Sequence, residues 1–207
     1  MSKLYIVGIG PGSKEYLTFK AVTTVESSDI IIGSKRALDL FENIKKEKIY
    51  LDASNVKESV KYGIEKVKEG FNVTMLSTGD PGFSGLLKTV QSAGKNFDIE
   101  VIPGISSIQL CAARLQIPWD KADLITMHGK GVSIELFSKI NNGRPTIILP
   151  NLKIEEIVRL LLDKGIDPGK KAAVCERLGY DDERLIKTSL ENLLNEDFSY
   201  MCVMVIY

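Results

Sequence analysis

The sequence predicts an α/β fold with a largely parallel sheet in its N-terminal half, and two observations carry this prediction. Short apolar runs alternate with longer segments that have helical periodicity. Three of the apolar runs end in glycine-rich loops, a common connection from a strand to the next helix in α/β proteins. The chain has 207 residues, of which 44% are hydrophobic, so it can bury the core of one domain or of two small ones.

Strands and helices alternate through the first half of the chain. The first strand is apolar and β-branched and stops at the sequence GPG, residues 10–12. Apolar residues three or four positions apart, among them Val56, Val60 and Ile64, predict a helix that Gly70 ends. The predicted strands are residues 3–9, 29–33, 48–51, 72–77 and 98–102, and the predicted helices are residues 16–28, 34–43, 55–69, 84–93 and 105–115. This order places the strands parallel to one another.

The rhythm changes after the sequence QIPWDK, residues 116–121. Strands are predicted at residues 123–128, 146–149 and 171–176, helices at 134–141 and 154–164, and antiparallel strands at 183–187 and 200–207 around a short helix at 190–195. We therefore predict an N-terminal α/β lobe at residues 1–115, a linker at 116–121 and a mixed C-terminal α/β lobe at 122–207. The apolar strand at 200–207 is expected at a sheet edge, whose unpaired backbone groups have to be covered by another part of the protein or by a partner chain.

Composition excludes several classes of protein. Lys plus Arg and Asp plus Glu number 27 each, so the zero net charge gives no general reason to bind nucleic acid or an acidic membrane surface. Apolar runs stay below the roughly 18 residues of a membrane span, and the N-terminus lacks the form of a signal peptide, so we expect a cytoplasmic protein. Cys111, Cys175 and Cys202 are too few and too scattered for a disulfide framework or a zinc site and are expected in the core. We expect no metal.

Three glycine-rich loops are the features that could carry chemistry. They have the sequences GIGPGS, STGDPGFSG and PGISS, at residues 8–13, 77–85 and 103–107, and each leaves a predicted strand. Ligands of open α/β sheets sit at the carboxyl ends of strands, and glycine permits close backbone approach. A single loop of this kind is more often only a turn. The dinucleotide pattern fails here, because Ser13 stands at its third glycine and the acidic residue after the second strand is missing.

Taken together, the three loops resemble those of the tetrapyrrole methylases, which use S-adenosylmethionine (SAM) in cobalamin and sirohaem synthesis. The sequence VGIGPG at residues 7–12, GDP at 79–81 and PGISS at 103–107 are similar to the three signatures of that family. Further segments are similar to the branch that methylates carbon C5 of cobalt-precorrin-7 or precorrin-6B. These are GSKR at residues 33–36, MHGK at 127–130 and SSIQLCAARL at 106–115.

This resemblance implies two α/β lobes with SAM in the cleft between them, and a homodimer. Carried over by motif, the SAM-binding positions are Pro11, Thr78, Gly79, Asp80, Ser106 and Ser107, with Leu149, Pro150 and Ala173 from the second lobe. Family members commonly carry Met-Gly where this chain has Pro150 and Asn151. The implied substrate is a tetrapyrrole with several carboxylates, for which Lys35, Arg36, Arg114 and Lys130 are candidate ligands.

Catalysis by such an enzyme is mainly positioning, because the sulfonium of SAM already activates the methyl group. A base would accept the proton lost from the methylated carbon, and His128, the single histidine, is the candidate. Asp80 is a second candidate, against its alternative role as a turn former in a Gly/Pro loop. The resemblance also implies a functional partner, the separate decarboxylase that methylates C15.

Two alternatives stay open. The first is a tetrapyrrole methylase that acts at C11, C17 or C20, since no residue dictates regiospecificity on physical grounds. The second is a non-catalytic module that binds SAM or another metabolite. The product of incubation with SAM and the corrinoid precursor distinguishes them.

Overall fold

The apolar N-terminal strand lies inside a five-stranded sheet rather than at its edge. The computed structural model describes residues 2–94, 97–128 and 134–207. The strands of the first sheet are β1 (Leu4–Gly8), β2 (Ile30–Gly33), β3 (Glu47–Tyr50), β4 (Val73–Ser77) and β5 (Ile99–Ile102). Their order is β3-β2-β4-β1-β5, and every neighbouring pair is parallel. The predicted parallel sheet is therefore confirmed.

Four helices cover the two faces of this sheet. They are α1 (Phe19–Ser27), α2 (Lys35–Asp39), α3 (Val56–Lys68) and α4 (Leu87–Ser92). One face packs against α1 and α2 through Val7 and Ile31, and the other packs against α3 and α4 through Ile6 and Met75. Because both faces are covered, the three inner strands β1, β2 and β4 are buried almost throughout and mainly apolar, as is typical of parallel sheets.

Hydroxyl caps set where two of these helices begin. Thr18 Oγ1 accepts a hydrogen bond from the Ala21 N–H at 3.1 Å, and Ser34 Oγ accepts one from the Ala37 N–H at 3.3 Å. The helix predicted from residue 16 therefore begins only at Phe19, after a 3₁₀ turn over Lys14–Tyr16.

The second unit of the chain contains a mixed five-stranded sheet. Its elements are α5 (Ser107–Leu115), β6 (Asp123–Thr126), α6 (Ile134–Ile140), β7 (Thr146–Leu149), α7 (Ile154–Asp163), β8 (Lys171–Glu176), β9 (Arg184–Ser189) and β10 (Cys202–Ile206). The strand order is β6-β7-β10-β8-β9. Strands β6 and β7 are parallel, and the other neighbours are antiparallel. The predicted mixed sheet is confirmed.

The expected edge position of the strand at 200–207 is wrong. Strand β10 lies between β7 and β8, with Met204 paired to Ile148 on one side and to Val174 on the other. All five of its residues are buried. One face packs on the helical core that includes Ile157 and Leu161, and helix α5 also contacts the strand. Its continuous apolar sequence, which was compatible with an edge, is the pattern of a central strand covered on both faces.

The chain divides into compact units at residues 1–106 and 107–207. This division falls before α5, whereas the sequence placed the lobe boundary at 116–121. Helix α5 contacts β7 and β10 of the second unit, which explains the difference. In the described residues, no helix has the length and apolar character needed to cross a bilayer.

The three cysteines are free and buried, as predicted for core residues. Two of them nevertheless meet, because the Cys111 thiol on α5 lies 3.1 Å from Cys175 Sγ on β8. Their hydrogen bond, together with burial, holds the pKa of Cys111 far above its ordinary value. Burial also raises the pKa of Cys202, to about 12.

Candidate functional site

Three neighbouring strand exits meet in the first unit. Strand β1 lies between β4 and β5, so the loops that follow these strands leave the same edge of the sheet side by side. The Ile9 N–H donates to Ser77 O at 3.0 Å, and the Gly79 N–H donates to Gly10 O at 2.9 Å. We call residues 8–12, 77–82 and 103–106 the strand-exit junction. It contains the predicted positions Pro11, Thr78, Gly79, Asp80 and Ser106.

Close backbone packing explains two of the glycines in the strand-exit junction. A Cβ at Gly8 would stand 2.5 Å from Gly104 N, and a Cβ at Gly104 would stand 2.3 Å from Gly79 O. A side chain at either position would therefore push the loops apart. Gly79 differs, because it has a φ of +66° and the nearest atom to its Cβ position is Ser106 Cα at 3.6 Å. The loop thus presents bare backbone at Gly79, beside Ser106.

The carboxylate of Asp80 joins two of the loops. Its Oδ1 accepts a hydrogen bond from the Gly82 N–H at 2.8 Å, within its own turn. Its Oδ2 accepts one from the Gly104 N–H at 3.2 Å, in the loop that follows β5. Asp80 is therefore a turn former, one of the two roles considered from the sequence, and it also makes a contact that the sequence did not predict.

The exit of β2 lies next to the strand-exit junction. Arg36, in the first turn of α2, donates from Nη2 to Thr78 Oγ1 at 3.4 Å. Lys35 is exposed at the start of the same helix. Arg36 therefore borders the second loop, and Lys35 precedes it in α2 at the carboxyl end of β2, the strand adjacent to β4.

The predicted positions of the second unit lie at the end of β7 and along β8. Strands β6 and β7 are parallel, and the Met127 N–H donates to Leu149 O at 3.0 Å, so exposed His128 and buried Pro150 leave the same edge of the sheet. Ala173 is fully buried in β8. The register of β7, β10 and β8 puts Leu149 and Ala173 on one face. Ser107 begins α5.

Arg114 is held by a carboxylate that the sequence analysis missed. Its Nε lies 2.5 Å from Glu183 Oε1, and Glu183 Oε2 also accepts from the Gly179 N–H at 2.9 Å. Burial alone would raise the pKa of Glu183, but the hydrogen bonds from Arg114 and Gly179 outweigh it and lower that pKa. The acidic run at residues 181–183 after a glycine turn was the available signal. Lys130 lies outside the described residues.

Comparisons with known proteins identify the family of the chain. The profile of the tetrapyrrole (corrin/porphyrin) methylases matches residues 3–194. A probable cobalt-precorrin-7 C(5)-methyltransferase of Methanocaldococcus jannaschii is 46% identical, over 98% of this chain and 96% of its own length. A cobalt-precorrin-4 C(11)-methyltransferase of the same organism is 30% identical, over 92% of this chain and 80% of its own.

A solved structure extends the likeness to the fold. The uroporphyrin-III C-methyl transferase of Thermus thermophilus, complexed with S-adenyl homocysteine, has a TM-score of 0.80 at 21% identity and covers 99% of this chain and 92% of its own.

Proposed function

The chain belongs to the tetrapyrrole (corrin/porphyrin) methylase family, and from this premise we propose that it transfers a methyl group from SAM to carbon C5 of cobalt-precorrin-7 in cobalamin biosynthesis. The observation that carries the proposal is the likeness, along nearly the whole of both chains, to the C(5)-methyltransferase of M. jannaschii. This likeness exceeds that to the C(11)-methyltransferase of the same organism in both identity and coverage.

The strand-exit junction fits SAM. Apart from the chain neighbours Thr78 and Asp80, only Ser106 among the described residues lies within 4 Å of a Cβ built at Gly79, so backbone and a small side chain border this position. The hydroxyls of Thr78, Ser106 and Ser107 and the backbone at Pro11 and Asp80 would hold the polar parts of the cofactor. Leu149, Pro150 and Ala173 would hold it in the second unit.

When bound, SAM supplies a methyl group that its sulfonium has already activated. The residues of the chain then have to orient both reactants and accept one proton. Lys35 and Arg36 would bind carboxylates of the tetrapyrrole, with Arg114 and Lys130 as further candidates. His128, exposed after β6, would accept the proton from the methylated carbon.

The proposal is tested with the purified chain, SAM carrying a ¹³C-methyl group, and cobalt-precorrin-7. We expect a corrinoid that has gained one methyl group, and its carbon resonance should place the label at C5. A label at C11, C17 or C20 would support the alternative regiospecificity. SAM binding without transfer to any tetrapyrrole would support the non-catalytic module.

The same assay separates binding from proton transfer. Lys35→Ala should raise the KM for the corrinoid a few-fold and leave kcat nearly unchanged. The expected rise corresponds to the loss of one exposed charge contact, which contributes about 0.2–1 kcal/mol. His128→Ala should lower kcat by roughly 10²-fold. Lys61→Ala is the control, since Lys61 is an exposed lysine of α3 that pairs with Glu65. A small KM effect in both test variants would make His128 structural.

We also propose a homodimer, a cytoplasmic location and a functional partnership with the decarboxylase that methylates C15. Support for the dimer is the family resemblance and the exposed apolar residues on both edge strands of the first sheet, Tyr50 on β3 and Val101 on β5. Support for the cytoplasm is that the three cysteines are free thiols. Sedimentation that gives only monomer at micromolar concentration would contradict the dimer.

A further inference from the structure

The chain contains the sequence Asp-Pro-Gly twice, and both copies form the same turn. At residues 80–82, Asp80 Oδ1 accepts a hydrogen bond from the Gly82 N–H at 2.8 Å. At residues 167–169, Asp167 Oδ1 accepts one from the Gly169 N–H at 2.9 Å. Each aspartate thus caps the backbone two residues on, as aspartate commonly does in turns. The turn alone therefore does not distinguish the two aspartates.

Their second carboxylate oxygens differ. Asp80 Oδ2 accepts from the Gly104 N–H at 3.2 Å, which joins the loop after β4 to the loop after β5. Within the described part of the chain, the carboxylate of Asp167 accepts only from its own turn. The Asp80 contact also spans 24 residues, so it fixes two separate loops rather than one local bend.

Two close approaches between the loops lie beside this hydrogen bond. Gly104 is the glycine whose Cβ would stand 2.3 Å from Gly79 O, and Ser106 Cα lies 3.6 Å from the Cβ position of Gly79. The backbone of the third loop is therefore closely packed against the backbone of the first two loops. The Asp80–Gly104 hydrogen bond holds that packing in place.

We propose that Asp80 is a positioning residue whose carboxylate clamps Gly104, and so keeps Ser106 beside Gly79 for cofactor binding. This inference rests on the proposed function, because it takes the strand-exit junction as the SAM site. The carboxylate acts on the loop and not on the reacting atoms. Both of its oxygens are needed, since one serves the turn and the other serves the clamp. The side-chain amide of an asparagine at this position could keep the turn through its oxygen. Its NH2 group would then face the Gly104 N–H, and two donors form no hydrogen bond.

The test compares Asp80→Asn with Asp167→Asn. Calorimetric titration with S-adenosylhomocysteine should show affinity lower by about ten-fold or more in Asp80→Asn, because the half-buried Gly104 N–H loses its acceptor. Asp167→Asn should bind within two-fold of the wild-type chain. Thermal unfolding without ligand should shift further in Asp80→Asn than in Asp167→Asn, because only Asp80→Asn also leaves the Gly104 N–H without its acceptor.

Two further measurements report the clamp itself. The Gly104 amide should lose protection from hydrogen exchange in Asp80→Asn and keep it in Asp167→Asn. The KM for SAM should rise while kcat at saturation stays near the wild-type value. If Asp80→Asn fails to fold, Asp80→Ser replaces it, because a serine hydroxyl can still cap the turn but is too short for the clamp.

Equal affinity in the wild-type chain and Asp80→Asn, or equal loss in Asp80→Asn and Asp167→Asn, would overturn the inference alone. Failure of the wild-type chain to bind S-adenosylhomocysteine would instead overturn the proposed function, and the inference with it.

Discussion

The glycines of the strand-exit junction are required for different physical reasons. Gly104 has backbone within 2.3 Å of its Cβ position, whereas Gly79 has a φ of +66° and only an ordinary van der Waals neighbour, Ser106 Cα at 3.6 Å. The sequence pattern predicted that glycines gather at strand exits, and it attributed them to ligand approach. It contained no information about which loop touches which, so the mutual packing of Gly8 and Gly104 was missed.

This difference predicts unequal costs for alanine. Gly79→Ala should reduce the free energy of unfolding by about 1–2 kcal/mol, the cost of the left-handed backbone. Gly165→Ala, at a φ of +78° with nothing within 4 Å, should cost the same and serves as the control. Gly104→Ala should cost clearly more, because the backbone of two loops has to move. Urea denaturation measures all three, and a Gly104→Ala value equal to the control would contradict the packing.

At the scale of elements, a buried carboxylate joins β8, β9 and the segment before β10. Glu176, at the end of β8, accepts from Arg184 Nε at 2.8 Å and from the Ser199 N–H at 2.5 Å. Arg184 also bonds Glu196 and the Asp197 carbonyl. The sequence predicted both strands, but a glutamate in an apolar strand carries no signal for a partner more than twenty residues away. The hydrogen-bond network of Glu176 was therefore not predictable from the sequence and is seen only in the structure.

This network predicts a loss of stability in acid. Burial would raise the pKa of Glu176, but the bonds from Ser199 and Arg184 outweigh it and lower the pKa from 4.5. A lowered folded-state pKa stabilises the protein above the unfolded value, and this contribution is lost as the pH falls from about 4.5 through the folded pKa. Glu176→Gln should be less stable at pH 7 and should lose less on acidification.

The melting temperature between pH 7 and pH 3 tests this prediction. Glu155→Gln on the exposed face of α7 is the control and should follow the wild-type curve. Part of the acid sensitivity should persist in Glu176→Gln, because the pKa of Glu183 is also lowered. Parallel curves for Glu176→Gln and the wild-type chain would show that Glu176 is not responsible.

At the scale of the whole molecule, the sequence predicted where strands and helices lie along the chain far better than which of them are neighbours in space. Alternation of apolar strands and amphipathic helices was enough for the parallel sheet around β1, because crossover connections leave few other arrangements. The place of β10 was not predictable in the same way, since an apolar strand is compatible with a covered edge or a centre. For the same reason, the spacing of Cys111 and Cys175 did not reveal that their thiols meet.

The central place of β10 also has a consequence for how the chain folds as it is made. Strands β6 to β9 leave the ribosome first, yet β7 and β8 do not pair with each other and are joined only by residues 202–206, which lie between them. Until those residues emerge, β7 and β8 each expose an unpaired edge, the kind of surface on which nascent chains aggregate. We therefore expect the sheet of this unit to close late, after β10 has been translated. Before that point, the unpaired edges of β7 and β8 are the surfaces that chaperones would have to protect.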